Sequence, residues 1–204
     1  MHFIELDGVA LRYELSGKGE RTLVLHEMGG SLESWDVGGA IALQFAAQYP
    51  ERTSAVIVGS PATGIAAARR PAALERLANV EADGMASVVD DAMLNGYAPE
   101  LRGDARRFER FRARWLGNDP ASYAAIWRML VNADMQDSLS KIRCPALVIG
   151  GTFDRVRPPA MAQEVASAIP GARYIEVPTG HYMAVQTPGL IAARIDEFLT
   201  SVNA

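Results

Sequence analysis

The chain has 204 residues, 49% of them hydrophobic and 22% charged, a balance typical of one folded globular domain with room for an inserted subdomain. The net charge of −4 favours neither nucleic acid nor an anionic membrane surface as a partner. A single cysteine, Cys144, excludes an intrachain disulfide, and with only three histidines we expect no metal site. The sequence lacks an apolar run of about 18 residues and a secretory signal, so we expect a cytoplasmic protein.

The first quarter of the chain predicts a hairpin, a strand, a helix and a second strand. "HFIELDGVALRYELSG" alternates around the turn signal Asp7-Gly8, which predicts a β-hairpin. "RTLVLHEM" and "TSAVIVGSPA" are short apolar runs typical of buried strands. Between them, "GGAIALQFAAQYP" predicts an amphipathic helix, because Ile41, Phe45 and Tyr49 recur at helical spacing.

Residues 65–136 differ from the rest, since they are rich in Ala and Arg and show helical periodicity without a strand run. The simplest interpretation of the Arg-rich row "RRFERFRARWLGN" is a solvated helix face. Because this segment lies between strand-helix stretches, we expect an insertion over a sheet. The predicted organisation is therefore a core formed by residues 1–64 and 137–204, with a helical cap at 65–136.

The last third of the chain returns to alternating strands and helices. "CPALVIGG" and "ARYIEVPTGH" predict strands, and "PPAMAQEVASAIP" and "PGLIAARIDEFLTSV" predict helices. Met161, Val165 and Ile169 are expected to form the buried stripe of the first of these helices. Continuous apolar strands that alternate with helices indicate an α/β fold, with a mostly parallel sheet covered by helices on both faces.

Three predicted strands end in polar residues, which matters because functional groups gather at the carboxyl ends of such strands. His26-Glu27 follows the apolar run "TLVL", Asp154 follows "ALVIGG" and His181 follows "YIEVPT". An acid followed along the chain by a histidine fits the orienting acid and the base of a hydrolytic triad. The alternatives are a turn or helix-capping role for Asp154 and a hydrogen-bonded loop role for His181. His26 is better interpreted as a structural strand-end residue.

Four segments, taken together, resemble the α/β-hydrolase family over nearly the whole chain. "LVLHEMGGSLESW" resembles its oxyanion loop, and "VGGAIALQFAAQYPERTSAVIVGSP" its nucleophile-elbow helix and following strand. "CPALVIGGTFDRVRPP" and "IPGARYIEVPTGHYMAVQTP" resemble its acid-bearing and histidine-bearing strand ends. Within the family the chain is most similar to 3-oxoadipate enol-lactonases. Related esterases, carbon–carbon bond hydrolases and cofactor-free haloperoxidases share much of the pattern.

The resemblance assigns roles residue by residue. It implies that Asp154 is the triad acid and His181 the base. It also implies that the backbone N–H groups of Met28 and Val37 form the oxyanion hole that contacts the substrate, where such donors stabilise developing charge. Glu27 departs from the glycine that usually follows the strand-end histidine. We further expect a bacterial enzyme without a cofactor.

The nucleophile is the main departure from the family pattern. The motif Gly-x-Ser-x-Gly-Gly survives only as Val37-Gly38-Gly39, and Ser34, Trp35 and Asp36 stand in the places before it. In one interpretation Asp36 is an aspartate nucleophile, as in haloalkane dehalogenases. In the other, which we favour, a block containing the nucleophile is missing between residues 36 and 37, either deleted or left out of the numbered chain. Ser60 does not replace it, because Pro61 removes the N–H that an elbow needs.

The expected function is hydrolysis of a small-molecule ester or lactone through an acyl-enzyme, with no nucleic acid or membrane partner and a possible homo-oligomer. Alternatives are carbon–carbon bond hydrolysis, cofactor-free haloperoxidase or perhydrolase activity, or a truncated, catalytically dead hydrolase that acts as a binding protein. Trp115, Trp127 and Met129 are candidates for lining the substrate pocket, although core packing suits each of them. A lactone substrate predicts a carboxylate-binding arginine near the cap, which the sequence does not identify.

Overall fold

The computed structural model describes residues 37–203 and the backbone of residues 2–6 and 9–13. Strands β1 (His2–Leu6) and β2 (Val9–Tyr13) pair antiparallel, with Leu6 opposite Val9, which confirms the pairing of the predicted hairpin. The predicted strand "RTLVLHEM", with Met28, and the segment that ends at Asp36 lie outside the described residues.

A parallel sheet of three strands forms the centre of the described part of the chain. It contains β3 (Val56–Gly59), β4 (Ala146–Gly151) and β5 (Arg173–Val177), in the order β3-β4-β5. Val58 pairs with Val148, and Ile149 pairs with Ile175. All three carboxyl ends therefore reach the same edge of the sheet, as the sequence predicted.

Helices occupy the predicted places. Those next to the sheet strands in sequence are α1 (Val37–Gln48), α7 (Pro159–Ala168), α8 (Met183–Gln186) and α9 (Pro188–Asn203). Between β3 and β4 lie α2 (Arg70–Asp83), α3 (Ala86–Gly96), α4 (Ala105–Leu116), α5 (Pro120–Asn132) and α6 (Gln136–Leu139). None of the helices in the described part of the chain is long and apolar enough to cross a membrane.

The sheet is covered on both faces, and the strands alternate between them. Val148 on β4 packs in a cluster with residues of α1 and α7, whereas its neighbours Leu147 and Ile149 pack with Ile191 and Phe198 of α9. Successive strand side chains point to opposite faces, so a strand that is apolar throughout is one that is buried on both sides. This is the layered α/β arrangement that the sequence predicted.

Helix α1 is correctly predicted, but the apolar stripe that predicted it does not face the sheet. Ile41, Phe45 and Tyr49 are 55%, 41% and 42% exposed. The buried face instead carries Ala40, Leu43 and Ala46. Small residues on this face let the helix approach the sheet closely, and a methyl group on Gly39 would lie 3.1 Å from the Cβ atom of Pro61.

The helices between β3 and β4 build a second core, and part of the arginine row ties them together. Within the row "RRFERFRARWLGN", Arg112 on α4 pairs with Asp90 on another helix, α3, at 2.7 Å. Outside the row, Arg76 on α2 lies 3.0 Å from Asp91 on α3. Arg128 on α5 forms a bidentate pair with Glu81 on α2. The division into a core and a cap at residues 65–136 stays a prediction.

Candidate active site

Asp154 lies at the carboxyl end of β4, in a turn that its own side chain stabilises. Its backbone N–H donates to the carbonyl of Gly151 at 3.0 Å. Its Oδ1 atom accepts hydrogen bonds from the backbone N–H groups of Val156 at 2.9 Å and Arg157 at 2.8 Å. The turn role considered from the sequence is therefore real. It uses one carboxylate oxygen and leaves Oδ2 for another partner.

That partner is His181, which follows β5. The Nδ1 atom of His181 lies 2.8 Å from Oδ2 of Asp154, and the two side chains are 4% and 0% exposed. The backbone N–H of His181 donates to the carbonyl of Gly96 on α3 at 3.0 Å. Both predicted residues are thus brought together at the carboxyl edge of the sheet, with the ring held at one end by a carboxylate. Their catalytic role stays a prediction.

Opposing effects set the pKa of Asp154. Burial acts to raise this pKa, but the charge and hydrogen bond of His181 and the N–H of Arg157 outweigh it, so the pKa lies below its usual value. The Ser60 hydroxyl acts in the same lowering direction, although its oxygen makes no hydrogen bond of standard geometry. We therefore take Ser60 as a close neighbour of the carboxylate and not as a fixed hydrogen-bond donor.

Ser60 is a residue whose role the sequence did not indicate. It follows β3, is 1% exposed and has a φ of 41°, which places a non-glycine residue in the left-handed region. Its N–H donates to the carbonyl of Ile149 at 2.9 Å, which fixes this backbone against β4. Such conformations are costly and concentrate at functional sites. The only sequence signal was its position at a strand end.

A cavity of about 290 Å³ opens beside the Asp154–His181 pair. Its walls come from α2, α3, α4 and α5 and from the loops that carry the pair; they include Trp115, Tyr123, Trp127, Arg155, His181 and Tyr182. Trp115 and Trp127 thus line the cavity as the sequence allowed. Met129 is 51% exposed and does not belong to these walls.

A second cavity, of about 400 Å³, lies between β5 and α9. Although it is the larger of the two, neither Asp154 nor His181 contributes to its walls. We therefore take the smaller cavity as the candidate site, because His181 lies on its wall and is hydrogen-bonded to Asp154.

Neither Cys144 nor a metal ligand set offers alternative chemistry among the described residues. Cys144 is partly buried, and burial raises the pKa of its thiol, which opposes the thiolate form that a nucleophile needs. Among the described residues, no group of three or more His, Cys, Asp or Glu side chains could hold a metal ion.

The predicted oxyanion-hole residues are not brought to the site by what is described. Met28 lies outside the described residues, as does Asp36. Val37 is the first residue of α1, and the N–H groups of a helix's first turn lack intrahelical partners. Its role in the site stays a prediction, and so does the missing block before it.

Comparison with known proteins agrees with the fold. A family model described as serine aminopeptidase, S33, matches residues 34–179. The chain is 30% identical over 192 residues to a candidate 2-succinyl-6-hydroxy-2,4-cyclohexadiene-1-carboxylate synthase of Bacillus subtilis, covering 88% of this chain and 68% of that protein. It is 27% identical over 168 residues to 3-oxoadipate enol-lactonase 2 of Acinetobacter baylyi, covering 82% and 62%.

A solved structure gives the same result in three dimensions. The enol-lactonase of Burkholderia xenovorans LB400 superposes with a TM-score of 0.75 at 25% identity, covering 81% of this chain and 63% of that one. The chain therefore spans between 62% and 68% of the length of these three relatives. By its matched residues and its fold, it belongs to the serine aminopeptidase S33 family of α/β-hydrolases and is related to the enol-lactonases.

Proposed function

We propose that this protein hydrolyses a carboxylic ester or lactone in the manner of an enol-lactonase. The observation that carries the proposal is the buried Asp154–His181 pair, whose histidine lies on the wall of a cavity formed largely by α2, α3, α4 and α5. A carboxylate that accepts a hydrogen bond from Nδ1 fixes the tautomer in which Nε2 exchanges protons. This is the arrangement that general-base catalysis of acyl transfer requires.

The proposed reaction proceeds through an acyl-enzyme. A nucleophile expected immediately before Val37 attacks the acyl carbon while His181 takes its proton, and His181 then returns that proton to the leaving oxygen. In the second half-reaction, water attacks the acyl-enzyme while His181 again takes the proton of the attacking group. Asp154 holds the imidazole and stabilises its charged form. The backbone N–H groups of Met28 and Val37 are the expected donors to the oxyanion.

The cavity favours an acyl group that carries oxygen atoms and a negative charge. Two arginines line it, and Arg76 is paired with Asp91 at 3.0 Å, whereas Arg155 is exposed and forms no ion pair with any residue that the structure describes. The indole N–H groups of Trp115 and Trp127 are buried without a hydrogen-bond partner among the described atoms. A carboxylate-bearing lactone or ester would supply acceptors for such donors, since unpaired buried donors are costly.

Hydrolysis of 4-nitrophenyl acetate by the purified chain tests the proposal, together with an intact mass. His181→Ala should lower kcat by about 10³-fold or more, because the base and acid of both half-reactions are lost. His2→Ala is the matched control and should leave kcat unchanged. A mass near 22.0 kDa with no turnover would reject the hydrolase function for this chain. It would favour the alternative of a catalytically dead binding protein, which the missing Gly-x-Ser motif supports.

A further inference from the structure

The last residue of helix α3 contacts the loop that carries His181. The carbonyl oxygen of Gly96 accepts a hydrogen bond from the backbone N–H of His181 at 3.0 Å. The carbonyl groups in the last turn of a helix have no intrahelical partner. The histidine loop therefore supplies the donor for one carbonyl at the end of α3, where the Arg102 side chain donates to the carbonyls of Met93 and Tyr97. The same hydrogen bond fixes the backbone of His181 against α3.

The next residue of the loop packs onto the same helical turn. Tyr182 is 3% exposed, and its hydroxyl lies 3.4 Å from the carbonyl oxygen of Ala92. A Cβ atom built on Gly96 would lie 2.5 Å from Cε2 of the Tyr182 ring, far inside normal contact distance. Only a residue without a side chain can stand at position 96 while the ring keeps its place.

The tyrosine ring also connects this contact to the core of the cap. Its centroid lies 4.7 Å from that of Phe111 on α4 and 6.1 Å from that of Trp115. Tyr182, next to the histidine, therefore contacts both α3 and α4, so its position depends on how these two helices pack. The ring planes are inclined at 53° and 63°, and such aromatic contacts resist displacement because each buries a large apolar surface.

The opposite side of the loop is held by the strand that leads to the acid. The N–H of Phe153 donates to the carbonyl of Thr179 at 2.9 Å, and a Cβ atom on Gly151 would lie 2.7 Å from that same oxygen. His181 therefore sits between two anchors, with β4 and Asp154 on one side and α3 on the other. A shift of α3 changes the position of the imidazole relative to the carboxylate.

We infer that the carboxyl-terminal turn of α3 is a positioning element for His181. Gly96 is required there because its carbonyl accepts the hydrogen bond of the His181 N–H and because the absence of a side chain leaves space for the Tyr182 ring. This inference rests on the proposed function, in which His181 is the base. Gly96 is a positioning residue and touches no reacting atom. The cap then does more than cover the cavity, since it also aligns the acid–base pair.

The test is Gly96→Ala with Gly103→Ala as the matched control. Nothing lies within 4 Å of a Cβ atom built on Gly103, so the same added methyl meets no neighbour there. Alanine is a better helix former than glycine, so a loss of kcat in Gly96→Ala does not come from a lower helix propensity. We assign such a loss to the contact with Tyr182. We expect Gly96→Ala to lower kcat on 4-nitrophenyl acetate about 10- to 100-fold with a smaller change in KM, as misplacement of a catalytic group does. Gly103→Ala should match the wild type.

A second readout does not depend on turnover. The chain has three histidines, so the Nδ1 proton of His181, in its hydrogen bond to Asp154, can be assigned by NMR. Gly96→Ala should shift or broaden this resonance, and Gly103→Ala should leave it in place. If the wild type shows no turnover, the proposed function fails while this measurement still decides the positioning role.

A double variant separates positioning from general damage. Gly96→Ala with Tyr182→Leu leaves room for the added methyl, so we expect it to match Tyr182→Leu alone, whose kcat and His181 resonance change less than those of Gly96→Ala. If Gly96→Ala does not fold, Tyr182→Leu alone carries the test, with a reduced kcat and a shifted His181 resonance expected in a folded protein. Wild-type kcat and an unchanged resonance in Gly96→Ala, or in Tyr182→Leu if that is the variant tested, would overturn the inference.

Discussion

Oδ2 of Asp154 lies 2.8 Å from Nδ1 of His181, although 27 residues separate the two in the chain. Both side chains are almost completely withdrawn from solvent, at 0% and 4% exposed. Water screens such a pair much less than it screens a surface ion pair. The relationship gives the imidazole one orientation and one tautomer, and the predictions below follow from it and from its surroundings.

Replacement of the acid should impair catalysis without removing the base. In Asp154→Asn the amide cannot hold the productive tautomer or stabilise a charged imidazole, so we expect kcat on 4-nitrophenyl acetate to fall by about 10³- to 10⁴-fold. Asp196→Asn, on the exposed surface of α9, is the matched control and should retain wild-type kcat. A kcat of Asp154→Asn within tenfold of the wild type would exclude Asp154 as the triad acid.

The lowered pKa of Asp154 predicts a pH-dependent stability. The pKa of an aspartate in the unfolded chain is about 3.9, and the pKa of Asp154 in the folded chain is lower. Its contribution is therefore complete above about pH 4 and is lost as the pH falls through the folded pKa. Urea unfolding between about pH 5 and pH 3 should show the free energy of unfolding decline more steeply in the wild type than in Asp154→Asn. Equal slopes would contradict the direction of the shift.

Arg155 should select for a negatively charged acyl group. An ion pair with an exposed arginine contributes about 0.2–1 kcal/mol, so Arg155→Gln should raise KM for 4-nitrophenyl hydrogen glutarate up to about 5-fold. KM for 4-nitrophenyl valerate, of the same chain length without the charge, should stay the same. Arg110→Gln, exposed on α4 and outside the cavity walls, should affect neither ester. Equal increases for both esters would argue for a packing role of Arg155.

The backbone of Ser60 should make glycine the better replacement. At a φ of 41° a Cβ atom is strained, and the left-handed conformation costs a non-glycine residue roughly 1–2 kcal/mol. Ser60→Gly and Ser60→Ala both remove the hydroxyl and differ only in the Cβ atom. We expect Ser60→Gly to be the more stable of the two in urea unfolding by about 1 kcal/mol. The reverse order of stability would mean that the residue relaxes out of this conformation without cost.

Much of the described fold was predictable because its signals are local. Short apolar runs bounded by Pro and Gly predicted β3, β4 and β5, and the helices between them followed from their periodicity. The acid and the histidine were predictable because parallel strands present their carboxyl ends at one edge, so that residues just past two neighbouring strands meet there. The sequence proposed Trp115, Trp127 and Met129 together as pocket residues, because all three are large and apolar. Only the two tryptophans line the cavity, and Met129 is exposed.

The exposed stripe of α1 shows where periodicity is insufficient. Ile41, Phe45 and Tyr49 fit the rule for a buried face, yet the sheet contacts Ala40, Leu43 and Ala46. Periodicity indicates that a helix forms and which residues share a face. It does not indicate which of two apolar faces a given neighbour covers, because that depends on how closely the two elements approach.

The sequence by itself determined the order of strands and helices, the α/β class and the two strand ends that carry the acid and the histidine, since each depends on residues close together in the chain. Only the tertiary structure decided that Gly96 contacts the loop of His181, that Ser60 adjoins the Asp154 carboxylate and that Arg155 lines the cavity. These relationships join residues that are distant in sequence, and they exist only after packing has fixed the distances between elements.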